Sequence, residues 1–271
     1  MEARFVILHP DDPAEILLAT PLIRCIRTQV EGALVYSAVK KEHLWLLSSN
    51  PFLEELFVYQ EKPDELLEDL RNFLPDYLID LDGSRITRRL KGQLKVLDFT
   101  INRLNFWEPW SQRAFKTGKL FDVTDDGKGS QLIAAPLDTE LLPSDFLDGY
   151  LILSLDNAGK SKRLLTDEQI IELAVLTEKP IVVTGNSGDR DLANRIGQAS
   201  GCAVFPTCGD LTYSQIGSLL SHARGSIVFN AFWDQVAAAL GKETFFITEN
   251  STLSDRKDIA LWARSLFNIQ P

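Results

Sequence analysis

The chain of 271 residues is acidic, with a formal net charge of -10, and 45% of its residues are hydrophobic, enough to core one large or two ordinary domains. That charge argues against nucleic acid as a general partner, since phosphate binding draws on a basic face, and no run of about 18 apolar residues is present to span a membrane. A strand begins by Arg4, leaving no room for a signal peptide, and Cys25, Cys202 and Cys208 are too few and unpatterned for a disulfide framework or a zinc site, so a reducing cytoplasm is the expected address.

The first strand, Phe5 to His9, runs into a turn of Pro10, Asp11, Asp12 and Pro13. Apolar residues then recur at Ile16, Leu17, Ala19, Thr20, Ile23 and Ile26, the spacing of one buried helix face. A strand feeding a helix opens a βα unit, and in open α/β sheets the turn after such a strand lies at the ligand crevice, which places Asp11, Asp12 and Glu15 there. Spacing gives Glu15 a structural role: Asp12 suits an N-cap, Pro13 the first helical position and Glu15 the third, the pattern of a capping box.

Strands are predicted at Ala33 to Val39, Leu56 to Tyr59, Tyr77 to Leu81 and Lys95 to Phe99, with helices at Lys41 to Ser49, Asp64 to Phe73 and Ser84 to Leu90. Strands separated by helices require crossover connections, hence a mainly parallel sheet and a Rossmann-like domain. In Asp76 to Gly92 the residues Arg85, Arg88, Arg89 and Lys91, with Lys95 beyond, form either a solvated helix face or a basic patch able to hold an acidic ligand. Asp80, Leu81, Asp82, Gly83 and Ser84 also resemble the nucleophile motif of haloacid dehalogenase phosphatases, which implies phosphotransfer using Asp80 and Asp82 as an outside alternative.

From Thr100 to Gly149 the pattern loosens. Trp107 and Trp110 flank Pro109 and suit a packing element, and Thr124 to Ser130 has the composition of a flexible surface turn. The domain boundary is placed here, giving an N-terminal domain of residues 1–140 and a C-terminal domain of 141–271. In the second half strands are predicted at Tyr150 to Leu155, Lys179 to Thr184, Ser226 to Asn230 and Thr244 to Thr248. The helices include one capped by Thr166 or Asp167, one through Val236 to Gly241, and a last from Arg256 to Phe267 that in this fold class commonly returns to the first domain. The turn Ala231 to Gln235 carries two bulky aromatics, Phe232 and Trp233, and an acid, Asp234.

These segments resemble, in order and across nearly the whole chain, glycosyltransferase family 9, the lipopolysaccharide heptosyltransferases. The likeness rests on Leu17 to Arg24 after the first strand, on the pair Asn50 and Pro51, on the strand and basic helix of Asp76 to Gly92, and on Asn230 followed by Val236 to Gly241. It implies an α/β fold of GT-B type, two Rossmann-like domains with mainly parallel sheets facing across a cleft, acceptor on the first and nucleotide sugar on the second. It also implies inverting transfer from a donor of the ADP-heptose type to an anionic glycolipid acceptor of lipopolysaccharide-core type, with no required cofactor or metal. Contact with the cytoplasmic face of the inner membrane would be at most peripheral.

By the same resemblance Glu15, standing where the family has an aspartate, becomes the general base. Lys162, Asn230, Asp234 and Gln235 become donor-binding residues, and Asp12, Arg85, Arg88 and Arg89 acceptor-binding ones. The departures lie in the loop before Lys162 and at Ala231 to Gln235, where aromatics would crowd a diphosphate and Asp234 would repel it. They leave open a catalytically impaired relative that binds a sugar, a nucleotide or a protein.

Overall fold

The computed structural model describes residues 2–59, 63–102, 104–105, 107–138, 141–156, 164–248 and 255–267, and Lys162 lies outside them. The chain divides into two compact units, residues 1–133 and 134–271.

In the first unit five strands, β1 (Ala3–Leu8), β2 (Ala33–Lys40), β3 (Glu55–Tyr59), β4 (Tyr77–Asp80) and β5 (Leu97–Thr100), form a wholly parallel sheet in the order β3-β2-β1-β4-β5. Such a sheet is covered on both faces, and Phe5 to Leu8 are accordingly apolar on both sides and at most 2% exposed. Strand order reverses at β1, so the crevice lies outside the carboxyl ends of β1 and β4.

Helices α1 (Pro13–Leu18) and α2 (Thr20–Gln29) follow β1 where the sequence predicts one helix. Pro21 lacks the N–H that would reach the Leu17 carbonyl, and the Thr20 hydroxyl donates to that oxygen instead, at 2.8 Å. Beyond lie α3 (Pro63–Phe73), α4 (Arg85–Leu94) and α5 (Trp110–Thr117). Leu66, Leu70 and Leu90 of α3 and α4 pack on Val6, Leu8 and Leu78 of the sheet. Lys41–Leu46, predicted as a short helix, is a 3₁₀ turn.

Two expectations about the middle of the chain change. The segment Thr124 to Ser130 is tethered rather than free: Arg24 donates two hydrogen bonds to Asp126, at 2.8 and 2.6 Å, and a third to the Gly129 carbonyl. Of the tryptophan pair only Trp110 packs; Trp107 is 96% exposed.

The second unit repeats the plan. Strands β6 (Leu151–Ser154), β7 (Ile181–Thr184), β8 (Val204–Pro206), β9 (Gly225–Val228) and β10 (Thr244–Phe246) form a parallel sheet in the order β10-β9-β6-β7-β8. Order reverses at β6, outside the ends of β6 and β9. The helices are α6 (Asp167–Thr177), α7 (Arg190–Ala199), α8 (Tyr213–His222), α9 (Ala231–Ala239) and α10 (Asp255–Ser265). Thr166 caps α6 in a full capping box with Gln169.

Helix α10 seats on this unit through Arg264, which donates to the Leu176 carbonyl at 2.9 Å, and through Leu266 and Trp262. Gly225 makes room for it, since a Cβ there would stand 2.5 Å from Leu266 Cδ1. Among the described residues no helix is long and apolar enough to cross a membrane.

Candidate functional site

The first cluster surrounds the β1 turn. Asp12 caps α1, its Oδ1 accepting from Ala14 N at 2.8 Å, so the observed cap bond falls one residue short of the Glu15 amide that a capping box would engage. Glu15 sits half-buried in the first helical turn. Asp11 is held by Lys40, whose ammonium donates to Oδ2 at 2.6 Å and, with some help from His43, keeps that carboxyl below its ordinary range despite partial desolvation. His43 Nε2 lies 3.0 Å from the Asp11 carbonyl and 3.4 Å from Glu42 Oε1. Asp11, Glu42 and His43 thus hold ligand-type atoms within 4.8 Å of one another, with Lys40 already on the Asp11 carboxylate.

Behind the turn, His9 directly follows β1 as a buried imidazole, Nε2 at 3.0 Å from Ser37 Oγ. Burial lowers its pKa to about 3, so the ring is neutral in the folded protein.

The second cluster is the turn from β4 into α4. Asp80 is fully buried; its Oδ1 accepts from the Asp82 and Gly83 amides at 3.1 and 2.8 Å, and Lys91 Nζ lies 3.0 Å from Oδ2. Lys91 also bonds Asp98, at 2.9 Å, and Thr100. Burial disfavours its charge, but Asp98 and Asp80 outweigh that and raise its pKa. Two expectations are corrected here. A carboxylate with no exposed surface cannot attack a phosphoryl group, so Asp80 anchors the turn and the phosphotransfer alternative loses its nucleophile. Lys91 leaves the basic patch, drawn inward by two aspartates. Arg85, Arg88 and Arg89 remain exposed, three and four residues apart on one face of α4.

Between these clusters lies a cavity of about 400 Å³, bounded by Leu8, Asp11, Tyr59, Asp82, Ile86 and Leu90 among others. Sequence reasoning missed Tyr59 and Lys40, each the last residue of a parallel strand and therefore at the carboxyl edge of the sheet; that position was the signal available.

In the second unit the ends of β6 and β9 are joined. Asn230 caps α9, its Oδ1 accepting from Phe232 N at 2.9 Å, while its Nδ2 donates to Asp156 Oδ2 at 3.2 Å. Trp233 Nε1 donates to the same oxygen at 3.3 Å. The segment Ala231 to Gln235, read as a turn, is instead the first turn of the helix, because the Asn230 side chain starts α9 at Ala231. Trp233 is 2% exposed and packs edge-on to Tyr213, so it belongs to the core rather than crowding the helix end.

Asp234 is half-buried, which raises its pKa, and Gln235 Oε1 is buried without a hydrogen-bond partner among the described residues. Asp156, an acid directly after an apolar strand, went unassigned in the sequence although it occupies the place in the second unit that the β1 turn occupies in the first.

No protein-family model matches the sequence, and no curated protein matches it. Solved structures do. A glycosyl transferase of family 9 from Veillonella parvula superposes with a TM-score of 0.77 at 13% identity, covering 100% of this chain and 94% of that one. The ADP-heptose lipopolysaccharide heptosyltransferase II of E. coli gives 0.70 at 16% identity over 90% of this chain and 83% of its own. A further E. coli heptosyltransferase, solved with ADP-2-deoxy-2-fluoro heptose, gives 0.68 at 14% identity over 92% and 90%. At these identities the likeness is one of fold: the chain is α/β, with the two five-stranded parallel sheets of the GT-B glycosyltransferases.

Proposed function

We propose that the protein is a glycosyltransferase that moves a sugar from a nucleoside-diphosphate donor, bound by the second unit, to a hydroxyl of an acceptor bound by the first. Heptose is the first sugar to try, because one structural neighbour was solved with an ADP-heptose analogue. The observation that carries the reading is the place of Glu15: a carboxylate in the first turn of the helix after β1, at the reversal of a wholly parallel sheet.

In the reaction Glu15 takes the proton of the acceptor hydroxyl as its oxygen attacks the anomeric carbon. The bond from that carbon to the diphosphate breaks, the nucleoside diphosphate leaves with the electron pair, and a single displacement inverts the centre. Lys162 and the amino end of α9, framed by Asn230 with Asp234 and Gln235 in its first turns, meet the donor and offset the leaving charge. Asp12, Arg85, Arg88 and Arg89 face the acceptor, and the arginines suit an anionic group on a glycolipid at the cytoplasmic face of the inner membrane. A binding module without turnover is the second reading. It is favoured by Asp156 and Asp234, carboxylates near the helix end where a diphosphate would sit.

The test is nucleoside-diphosphate release from nucleotide sugars in the presence of acceptor. Glu15→Gln should cut turnover by about a hundredfold or more with the unfolding midpoint unchanged, and Glu15→Asp should retain activity. Equal rates for Glu15→Gln and the parent would remove Glu15 from the mechanism.

A further inference from the structure

The three most exposed large hydrophobic side chains among the described residues lie close together in the chain after β5: Trp107 at 96%, Leu104 at 84% and Leu120 at 76%. A single exposed apolar residue is ordinary, but a group of them marks a surface with an occupant. The same stretch is cationic within an acidic chain. Among its described residues from Ile101 to Phe121, Arg113, Lys116 and Lys119 stand against Glu108 alone, while the whole chain carries -10.

The loop that presents Leu104 and Trp107 is tied at both ends to α5. Leu104 N donates to Asn102 Oδ1 at 3.0 Å, and Arg113 of α5 donates to the Asn102 carbonyl at 3.0 Å. On the other side Glu108 accepts from Asn105 Nδ2 at 3.0 Å and from Lys116 Nζ at 2.8 Å, and Trp110 is buried where α5 begins. The Lys116 bond sets an exposed cation beside the loop. Because β5 is parallel to β4 and β1, the loop leaves the sheet at its carboxyl end, the end that carries the crevice.

We infer that this stretch docks the protein on a bilayer containing acidic lipid, with Leu104 and Trp107 entering the headgroup layer and Lys116 and Lys119 meeting lipid phosphates. Indole rings and basic side chains are both favoured at a membrane interface, whereas lysine is depleted where proteins meet each other, and this distinguishes a bilayer from a protein partner. The rest of an acidic chain is repelled by such a surface, so a local excess of cations orients the approach. The inference rests on the transferase reading for its purpose, a glycolipid acceptor held in the membrane, and on this surface alone for the binding.

The experiment is co-sedimentation of the full chain, without nucleotide sugar, with vesicles of phosphatidylcholine and phosphatidylglycerol in equal parts and with vesicles of phosphatidylcholine alone. The expected result is saturable binding to the mixed vesicles and at least roughly tenfold weaker binding to phosphatidylcholine. Leu104→Ser combined with Trp107→Ser should weaken binding to the mixed vesicles by at least about tenfold without moving the unfolding midpoint, since both side chains are exposed. Leu261→Ser, which alters an exposed leucine of the second unit, should leave binding unchanged. No binding to the mixed vesicles, equal binding to phosphatidylcholine, a double variant that binds as the parent does, or an equal loss in Leu261→Ser would overturn the inference. So would a parent that ignores vesicles and self-associates through Leu104 and Trp107. Sugar transfer to a water-soluble acceptor without vesicle binding would overturn it and leave the transferase reading standing, whereas vesicle binding in a protein that transfers no sugar would count against the transferase reading alone.

Discussion

Asn230 Nδ2 and Trp233 Nε1 converge on one oxygen of Asp156, at 3.2 and 3.3 Å, and so lock the first turn of α9 to the end of β6. One carboxylate thereby orients the helix end on which the donor side of the proposed reaction depends.

Removing the cap tests this. Asn230→Ala loses the bond to the Phe232 amide and should cost about 1 kcal/mol in urea unfolding. Asp156→Ala removes the oxygen that accepts from both the Trp233 indole and the Asn230 amide and should cost about 1–3 kcal/mol. If Asp156→Ala proved neutral while Asn230→Ala did not, Asp156 would have no part in seating α9.

Lys91 and Asp80 form a buried pair, with side chains 9% and 0% exposed. Lys91→Met leaves the Asp80 charge without its cation and should cost about 3–5 kcal/mol, and the added change Asp80→Asn, which keeps an acceptor for the Asp82 and Gly83 amides, should recover part of that loss. Additive losses in the double variant would show that the two residues do not act as a pair.

The amphipathic and buried elements were legible in the sequence because wholly covered parallel strands read as unbroken apolar runs, as in Phe5 to Leu8 and Ile181 to Val183, and because Thr166 and Gln169 carry their cap in their spacing. Strand β8 was not, being three residues at a sheet edge that end in Pro206. Lys91 read as one more surface cation because its partners Asp80 and Asp98 come from two adjacent strands, a proximity that only the sheet order creates. Ala231 to Gln235 read as a turn because the family resemblance puts a turn after Asn230, whereas in this chain the Asn230 side chain starts the helix at Ala231.

His9 gives the stability a pH dependence of known sign. Its folded pKa, lowered to about 3, lies below that of the unfolded chain, so the unfolded state binds more protons in mild acid. The contribution is complete above about pH 6.5 and is lost as pH falls towards 3. Between pH 7 and pH 5 the loss should be about 2 kcal/mol, and His9→Phe should remove that part of the slope. A parent protein equally stable at both pH values would show that His9 takes up a proton as readily folded as unfolded.

The most direct measurement is unfolding of the full chain in the presence of a panel of nucleoside diphosphates and their sugars. At a free concentration of about a hundred times its dissociation constant, the true donor should add roughly 2.7 kcal/mol to the unfolding free energy, with a smaller gain in Asn230→Ala. A panel including ADP-heptose in which no nucleotide or nucleotide sugar moves the transition would contradict a nucleotide-sugar transferase.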